Sequence, residues 1–433
     1  MAMCVEDRIS KFSDHILCHI LSFLPIKEAV RTSIISTKWR NLFASISIIE
    51  FDGDLLRRLT DRNIDSFKNF VDRLLKFPDQ VSLDCFRLHD GISSWNDGIS
   101  SWIDGDHDFD VSGWICAALC RGVKEIDLKL YNLGDVPPDV PPVLFTCHSL
   151  VNLTLVALGF KIEVPSDVCL GNLKTFYLES VFVCDSINRL ISNCHVLEDL
   201  TFMYCSVANA SELNIQSPSL KELTLYFDPP DIDHSVHSVV INAPNLVYFR
   251  YGGDIVRVYP LGNMKSLEKA QIYIWFGSET NAAHLYQGIC NIRSLTLQIS
   301  KEIFPTSRLP IFHNLIELEF HGDICFVEIL HCMPNLKKLI LKYLNYAGTQ
   351  WKALYIEIPS CLTFHLKEIE IETSRIDTHM IEMISYLLNN AMVLERLIII
   401  STNRLTTTTE KRKVRNQLLQ LLKSSKKCLI IIL

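Results

Sequence analysis

The chain has 433 residues, of which 48% are hydrophobic and 21% are charged, and its formal net charge is −7. This length favours two or three domains or one elongated array, and the composition excludes global disorder. The weak negative charge argues against nucleic-acid binding by the whole protein. The first residues, MAMCVEDRIS, lack the basic and apolar segments of a signal peptide. Since no apolar run is long enough to span a bilayer, we expect no membrane partner and a cytoplasmic or nuclear location.

The near-terminal segment DHILCHILSFLPIKEAVRTSIISTKWRNLF predicts two or three short helices with one apolar side. We expect Ser13 to cap the first helix and Pro25 to stop it. A second helix from Lys27 to Ser33 is expected to expose Ala29, Val30 and Ile34, and a third, capped at Ser36 or Thr37, to carry Trp39, Leu42 and Phe43. A segment this short seldom buries enough surface to stand alone, so either the rest of the chain or another protein covers it.

The residues DRIS, ILCHILSFLP, KEAVRTS and STKWR in this segment resemble the plant F-box over about forty positions. The resemblance implies that the module binds a Skp-type adaptor protein, which connects it to a cullin and a RING subunit. Relatives usually have Leu-Pro where this chain has Phe12-Ser13, which implies a weaker but surviving adaptor interface. The residues implied to bind the adaptor are Phe12, Ile16, Leu17, Ile20, Leu21, Leu24, Pro25, Ala29, Val30 and Trp39.

The middle of the chain carries a repeat of the form L-x-x-L-x-L, with other apolar residues allowed at the L positions. Successive windows start 21 to 30 residues apart, which is the spacing of leucine-rich repeats. Unrelated βα units in a compact α/β domain are the alternative, which twelve in-register matches disfavour. The windows are VKEIDL from Val123, LVNLTL from Leu150, LKTFYL from Leu173, LEDLTF from Leu197, LKELTL from Leu220, LVYFRY from Leu246, LEKAQI from Leu267, IRSLTL from Ile292, LIELEF from Leu315, LKKLIL from Leu336, LKEIEI from Leu366 and LERLII from Leu394.

Such repeats predict an α/β solenoid in which each strand turns its L positions inward and its x positions outward. The Asn or Cys that often closes the motif is mostly missing. This resembles the irregular repeats of plant F-box proteins, which have parallel strands on the concave face and loops or short helices on the return.

The segment IPSCLTFHLKEIEIETSRIDTHMIEMISYLLNNAMVLERLIIIS resembles the FBD region that follows such repeats. Here SRIDTHM stands where the family has a Gly and an acidic run. We interpret this region as a C-terminal cap on the solenoid.

These patterns divide the chain into five parts: an F-box (5–50), a connector with an acidic duplicated loop (51–115), leucine-rich repeats (116–350), an FBD region (351–405) and a basic tail (406–433). The duplicated loop reads DGISSWN, DGISSWI and DGDHDFD. Asp104, Asp106 and Asp108 imitate the start of an EF-hand, but Phe109 and Ile115 stand where that loop needs Gly and Glu. The KRKVR motif of the tail is either a nuclear-localisation or anion-binding patch or part of a solvated terminal helix.

No catalytic motif or metal-binding pattern is evident, so we expect a non-enzyme with no cofactor. The 15 cysteines are scattered singly, which favours reduced thiols. Cys116 and Cys120 lie one helical turn apart, but no second pair completes a zinc site.

Together the resemblances imply a substrate-recognition subunit of an SCF-type ubiquitin ligase, whose repeats bind a protein target of unknown identity. A ligase-independent interaction scaffold with a weakened F-box is the alternative. Among the outward positions, we predict that Tyr226, Tyr248, Arg250, Gly252 and Tyr273 bind the target, with a target side chain in a gap above Gly252. We expect the charged outward residues on later strands to be opposite charges on neighbouring strands in water. They are Glu317, Glu319, Lys338, Lys342, Glu368, Glu370 and Glu372.

Overall fold

The computed structural model describes residues 9–40, 42–52, 64–76, 82–89, 110–131, 140–157, 161–207, 212–227, 238–255, 264–277, 279–299, 309–322, 326–342, 357–373, 376–401 and 416–433. The chain divides into two compact units, Met1–Ser211 and Glu212–Leu433.

The first unit opens with two short helices, α1 (Asp14–Leu21) and α2 (Ile26–Arg31), and two 3-10 helices, Thr32–Ile34 and Leu42–Ser45. Ser13 occupies the N-cap position of α1, but its side chain makes no capping hydrogen bond. Pro25 occupies the N-cap position of α2, where its fixed φ fits the entry into a helix.

The expectation of a third α-helix after Thr37 is wrong for the described residues, which form turns and the 3-10 helix at 42–45. The local hydrogen bonds span three residues, from the Trp39 amide to the Ser36 carbonyl and from the Leu42 amide to the Trp39 carbonyl. The Trp39 indole also donates to the Ser10 hydroxyl at 3.0 Å. This tertiary contact fixes the turn and outweighs the weak helix preference of a Ser- and Thr-rich segment.

The rest of the first unit is a stack of parallel strands with return segments. The elements are β1 (Ile48–Phe51), α3 (Ile64–Leu75), β2 (Cys85–His89), α4 (Val111–Cys120), β3 (Glu125–Leu130), a 3-10 helix (Pro142–Thr146), β4 (Asn152–Ala157), β5 (Lys161–Ile162), β6 (Thr175–Glu179), β7 (Phe182–Val183), α5 (Ile187–Asn193), β8 (Asp199–Met203) and β9 (Ser206–Val207). In the described residues of this unit, β1, β2, β3, β4, β6 and β8 form one parallel sheet in that order, and β5, β7 and β9 form a small second sheet.

The second unit repeats the same architecture. The elements are β10 (Glu212–Gln216), β11 (Glu222–Tyr226), β12 (Ser238–Asn242), β13 (Tyr248–Ile255), β14 (Lys269–Gly277), α6 (Glu279–Gly288), β15 (Ser294–Ile299), β16 (Glu317–His321), α7 (Phe326–Leu330), β17 (Lys338–Lys342), α8 (Ser360–Phe364), β18 (Glu368–Thr373), α9 (Thr378–Asn390), β19 (Arg396–Ser401) and β20 (Leu429–Ile432). In the described residues of this unit, β11 and β13 to β20 form one parallel sheet in that order, and β10 pairs with β12.

All twelve predicted repeat windows are confirmed as strands, each of which begins at the third residue of its window. The L positions form rows of buried side chains in register. Leu223, Phe249, Ala270 and Leu295 make one such row across β11, β13, β14 and β15, and each is at most 1% exposed. Ala270, the weakest match in the sequence, therefore occupies an ordinary inward position.

The structure adds three strands to the main sheets that the repeat search missed: β1, β2 and β20. Two of them fit the L-x-x-L-x-L template: the window of β1 is ISIIEF from Ile46, and the window of β2 is LDCFRL from Leu83. Long insertions hide their spacing, because Ile46, Leu83 and Val123 lie 37 and 40 residues apart. In the third, Lys427 stands where the template requires an apolar residue.

Asparagine side chains connect successive coils. Asn172, Asn245, Asn314 and Asn335 each precede the first L position of a window. Each donates a hydrogen bond to a main-chain carbonyl of the coil before it, at 2.7, 2.8, 3.4 and 2.9 Å. These bonds satisfy carbonyls outside the strand ladders and fix the stacking of coils. The Asn or Cys that often closes the motif is mostly missing from this chain, whereas these asparagines stand immediately before the first L position.

The FBD-like region forms strands β18 and β19 among its described residues. Helix α8 precedes β18, and helix α9 lies between the two strands. The Asp377 side chain caps α9 by accepting from the Met380 amide at 2.9 Å, which gives the SRIDTHM segment a defined local role. Cys361, Leu362 and Leu387 are buried. The cap role of this region stays a prediction.

Candidate functional site

The N-terminal helices present an apolar face to solvent. Phe12, Ile16, Ile20 and Leu24 are between 38% and 47% exposed. Ile16 and Ile20 lie one turn apart on the same side of α1, and Phe12 and Leu24 flank the two ends of that helix. Pro25 is also exposed. These five predicted adaptor-binding residues are accessible to a partner.

Four others of the predicted set lie inside the module. Leu17, Leu21, Ala29 and Trp39 are at most 4% exposed, while Val30 is half-buried. The prediction that Ala29 is exposed is wrong, because the side of α2 that carries Ala29 faces the inside of the module. The four buried residues stabilise the helices, and the exposed ones are left for binding.

Three further exposed residues escaped the sequence search because they lie off the helical stripe: Ile9, Phe23 and Ile35. Ile34, expected to be exposed, is 86% exposed. Eight of the 22 large apolar side chains that are exposed in the described part of the chain fall between Ile9 and Ile35. We call this set the N-terminal apolar face: Ile9, Phe12, Ile16, Ile20, Phe23, Leu24, Ile34 and Ile35. Such a concentration marks an interaction surface.

A second candidate surface lies on the outward side of β11, β13 and β14. Tyr226, Gly252 and Tyr273 are paired in register across the three strands. The Arg250 guanidinium carbon lies 5.8 Å from the Tyr226 ring centroid and 5.6 Å from that of Tyr273. Both distances are within cation–π range. With Tyr248, these residues form what we call the tyrosine–arginine surface.

The structure corrects the prediction of an open gap above Gly252. A Cβ added at Gly252 would overlap ring atoms Cδ2 and Cε2 of Tyr226. The Tyr226 ring therefore lies over the glycine main chain and fills the space intended for a target side chain. Glycine is needed here because it lets the ring approach the backbone.

Among the described residues, no carboxylate forms an ion pair with the Arg250 guanidinium, and the Nε of Arg250 is buried without a hydrogen-bond acceptor. The Lys269 ammonium lies 5.9 Å from the Tyr248 ring centroid and likewise makes no ion pair. Burial raises the pKa of the Tyr248 and Tyr273 phenols, although Arg250 partly offsets the effect. Both hydroxyls are therefore neutral at physiological pH and able to donate hydrogen bonds.

The charged residues on β16, β17 and β18 pair with one another, as expected. Lys338 lies 3.7 Å from Glu317 and 3.4 Å from Glu368. Lys342 lies 3.1 Å from Glu319 and 3.8 Å from Glu372.

Two details modify this picture of the charged strands. Glu370 lies opposite Ile340 and Ile398 instead of a cation. Burial raises the pKa of Glu319, but hydrogen bonds from His321 and Lys342 outweigh it and hold the pKa below its ordinary value.

A third cluster, missed from the sequence because it involves β1 and β2, lies on the outward side of the first unit. The Arg87 guanidinium lies 2.7 Å from Glu125, 3.5 Å from Glu50 and 3.8 Å from Asp127. The His89 imidazole lies 3.0 Å from Asp127. Arg87 thus serves three carboxylates, so the cluster neutralises much of its own charge.

Among the described residues, no group of three or more His, Cys, Asp or Glu side chains is arranged to hold a metal ion. Cys116 is half-buried and Cys120 is exposed on α4. The aspartates of the duplicated loop and the KRKVR motif lie outside the described residues. Among the helices that the structure describes, none has the length and apolar character to cross a bilayer.

Two family models match this chain. The F-box domain model matches residues 9–51. The model for the At1g61320/AtMIF1 LRR domain matches residues 100–432, most of the chain. The chain belongs to the plant F-box/FBD/leucine-rich-repeat family.

Relatives from Arabidopsis thaliana agree with this assignment. The F-box/LRR-repeat protein At3g59210 is 32% identical over 80% of this chain and 75% of its own length. The F-box/FBD/LRR-repeat protein At5g22700 is 29% identical over 90% and 92%. The F-box/LRR-repeat protein At3g49150 is 33% identical over 79% of this chain, a match that spans 56% of that protein. F-box/LRR-repeat proteins are generally adaptor-like and non-catalytic, and their combination of domains points to substrate recognition.

Proposed function

We propose that this F-box/LRR-repeat protein is the substrate-recognition subunit of an SCF-type ubiquitin ligase. In this proposal the F-box binds a Skp-type adaptor, which connects the protein to a cullin, while the repeats bind the target. The N-terminal apolar face carries the proposal. Its large side chains are exposed to water although the module has a buried core of its own. Covering such an apolar surface with a partner lowers the free energy and so favours binding.

Adaptor binding is the direct test. The purified full chain, mixed with a plant Skp-type adaptor, is expected to co-elute with it in size-exclusion chromatography at micromolar concentration. A cullin added to this pair is then expected to join the complex. Separate elution of the chain and the adaptor would overturn the proposal.

A ligase-independent scaffold is the second candidate, since Ser13 stands where relatives have proline. Ser13 nevertheless has a φ of −65°, close to the value that a proline ring imposes. The substitution therefore removes rigidity without redirecting the main chain, which favours a working F-box. An adaptor complex that fails to recruit the cullin would favour the scaffold.

We further propose that the tyrosine–arginine surface contacts the target. Tyrosine and arginine are frequent anchors of protein interfaces, and here both types share one outward face. The test compares partners recovered under proteasome inhibition by a Tyr226→Ala/Arg250→Ala protein and a Glu368→Ala/Glu370→Ala protein. Loss of partners only in the second protein would move the site to the C-terminal strands.

A further inference from the structure

The cations on the outward strand face of the second unit fall into two groups. Lys338, Lys342 and Arg396 each contact a glutamate on a neighbouring strand. Arg250 and Lys269, within the same described face, have no carboxylate within the 4.0 Å that defines an ion pair. The sheet therefore neutralises its positive charge on β17 and β19 but leaves it available on β13 and β14.

The position of Arg250 prepares it for a ligand. Its guanidinium lies between the Tyr226 and Tyr273 rings, which restrict the plane of the group. Its buried Nε donor has no acceptor, and leaving a buried donor unsatisfied is costly. Because this donor is shielded from solvent, a bound molecule would contact the terminal nitrogens of the guanidinium instead. Little side-chain entropy would be lost, because the side chain is already confined.

The surroundings favour a singly charged acceptor. Glu222 lies close enough to Tyr248 to raise its pKa, so negative charge borders one side of the surface. On the other side, near Tyr273, the charge of Glu319 is offset by Lys342. One arginine and one lysine next to Glu222 suit a carboxylate better than a phosphate dianion, because like charges repel. The planar guanidinium also matches a carboxylate in bidentate geometry.

We propose that the tyrosine–arginine surface, together with Lys269, recognises the carboxylate of an Asp or Glu side chain in the target. This inference rests on the proposed role of the protein in target binding. Arg250 binds the carboxylate, Lys269 adds a second positive charge, and the tyrosine rings pack against the flanking residues. The filled space above Gly252 makes the stacked arginine, instead of a cavity, the anchor of recognition.

The test selects random peptides from a phage-displayed library against the full-length protein and two variants. Arg250→Met keeps much of the side-chain length between the tyrosines but removes the charge. Lys338→Met is the matched control, since it removes an outward cation that already has glutamate partners. Enrichment of Asp and Glu is expected with the unmodified protein and with Lys338→Met, and its loss with Arg250→Met. Equal enrichment with all three proteins, or none with the unmodified protein, would overturn the proposal.

A selected peptide then gives affinities by fluorescence anisotropy. Replacing its Glu by Gln is expected to weaken binding at least about fivefold, and Lys269→Met to weaken it by about threefold with the Arg250 stack intact. A phosphoserine at that position that binds more tightly than Glu would contradict the assignment to a carboxylate. Thermal melting of each variant separates lost binding from lost folding.

Co-elution with the adaptor is measured on the same preparations, so the two proposals fail independently. Peptide recognition without adaptor binding would leave the carboxylate site and remove the ligase role. Adaptor binding without selection of acidic peptides would leave the ligase role and remove the carboxylate site.

Discussion

Neighbouring leucines in the F-box have opposite roles. Leu21 is fully buried, whereas Leu24 is 38% exposed. We predict that Leu24→Asp abolishes adaptor binding with little change in the melting temperature. The new carboxylate stays hydrated in the free protein but would be unpaired in the complex, which costs several kcal/mol. Ile311→Asp, at an exposed apolar residue of the second unit, is the control and should bind the adaptor normally. Retained adaptor affinity in Leu24→Asp would exclude this face as the interface.

Gly253 is a position where only glycine fits. Its φ is +113°, and an added Cβ would overlap the Phe227 carbonyl oxygen. We predict that Gly253→Ala lowers the free energy of unfolding by about 2 kcal/mol or more, because main-chain atoms cannot move aside as a flexible side chain would. Gly171→Ala is the control, since nothing lies within 4 Å of its added Cβ. Similar melting temperatures for the two variants would contradict the prediction.

Charge pairing on the outward face predicts a pH dependence. The pKa of Glu319 is lowered in the folded protein, so its contribution to stability is complete above the ordinary Glu value of 4.5 and is lost as pH falls through the lowered value. The melting temperature of the unmodified protein should exceed that of Glu319→Gln most clearly above this pH, and the difference should shrink in more acidic buffer. In a Lys342→Met background, this difference in melting temperature should depend less on pH, because Lys342 stabilises the ionised form of Glu319. A difference that stays constant from pH 7 to pH 3 would refute this account.

At the level of elements, the asparagine bonds join one coil to the next. Asn245→Ala and Asn335→Ala are each expected to lower the free energy of unfolding by about 1 kcal/mol, the usual net value of a hydrogen bond. Asn291 occupies the same place before Ile292, but the structure assigns its side chain no hydrogen bond. Asn291→Ala should therefore have a smaller effect in a denaturant titration. A larger loss in Asn291→Ala than in the other two would show that the side-chain bonds do not hold the coils together.

The strands were predictable because their signal is local and periodic. Each window places apolar residues on one side of a strand, and a regular return length brings the next window into register. The repeat pattern missed β1 and β2, because long insertions separate Ile46, Leu83 and Val123, and it missed β20, because Lys427 replaces an apolar residue. The third helix failed for a different reason, since the bond from Trp39 to Ser10 spans 29 residues and leaves no local trace.

For the whole chain, the C-terminal strands protect the sheet edge. Truncation after residue 350 removes β18, β19 and β20 and leaves β17 unpaired on one side, with Leu339 and Leu341 next to the new edge. We predict that the 1–350 fragment aggregates, since an uncovered apolar coil and a free strand edge both promote association. A fragment that ends at residue 401 loses only β20 from this sheet and should aggregate less, as judged by light scattering. A monomeric 1–350 fragment that melts cooperatively would disprove the prediction.

The sequence by itself determined the F-box, the twelve repeat strands and the family, because these depend on short patterns in which neighbouring residues share one environment. Only the tertiary structure decided which F-box residues face outward. The pattern marks a residue as apolar but does not say whether its own module or a partner covers it. Likewise, Gly252 was identified as an outward residue from alternation alone, whereas the Tyr226 ring that fills the space above it comes from another strand. Side-chain contacts between strands about 25 residues apart depend on rotamers and packing, which strand periodicity does not specify.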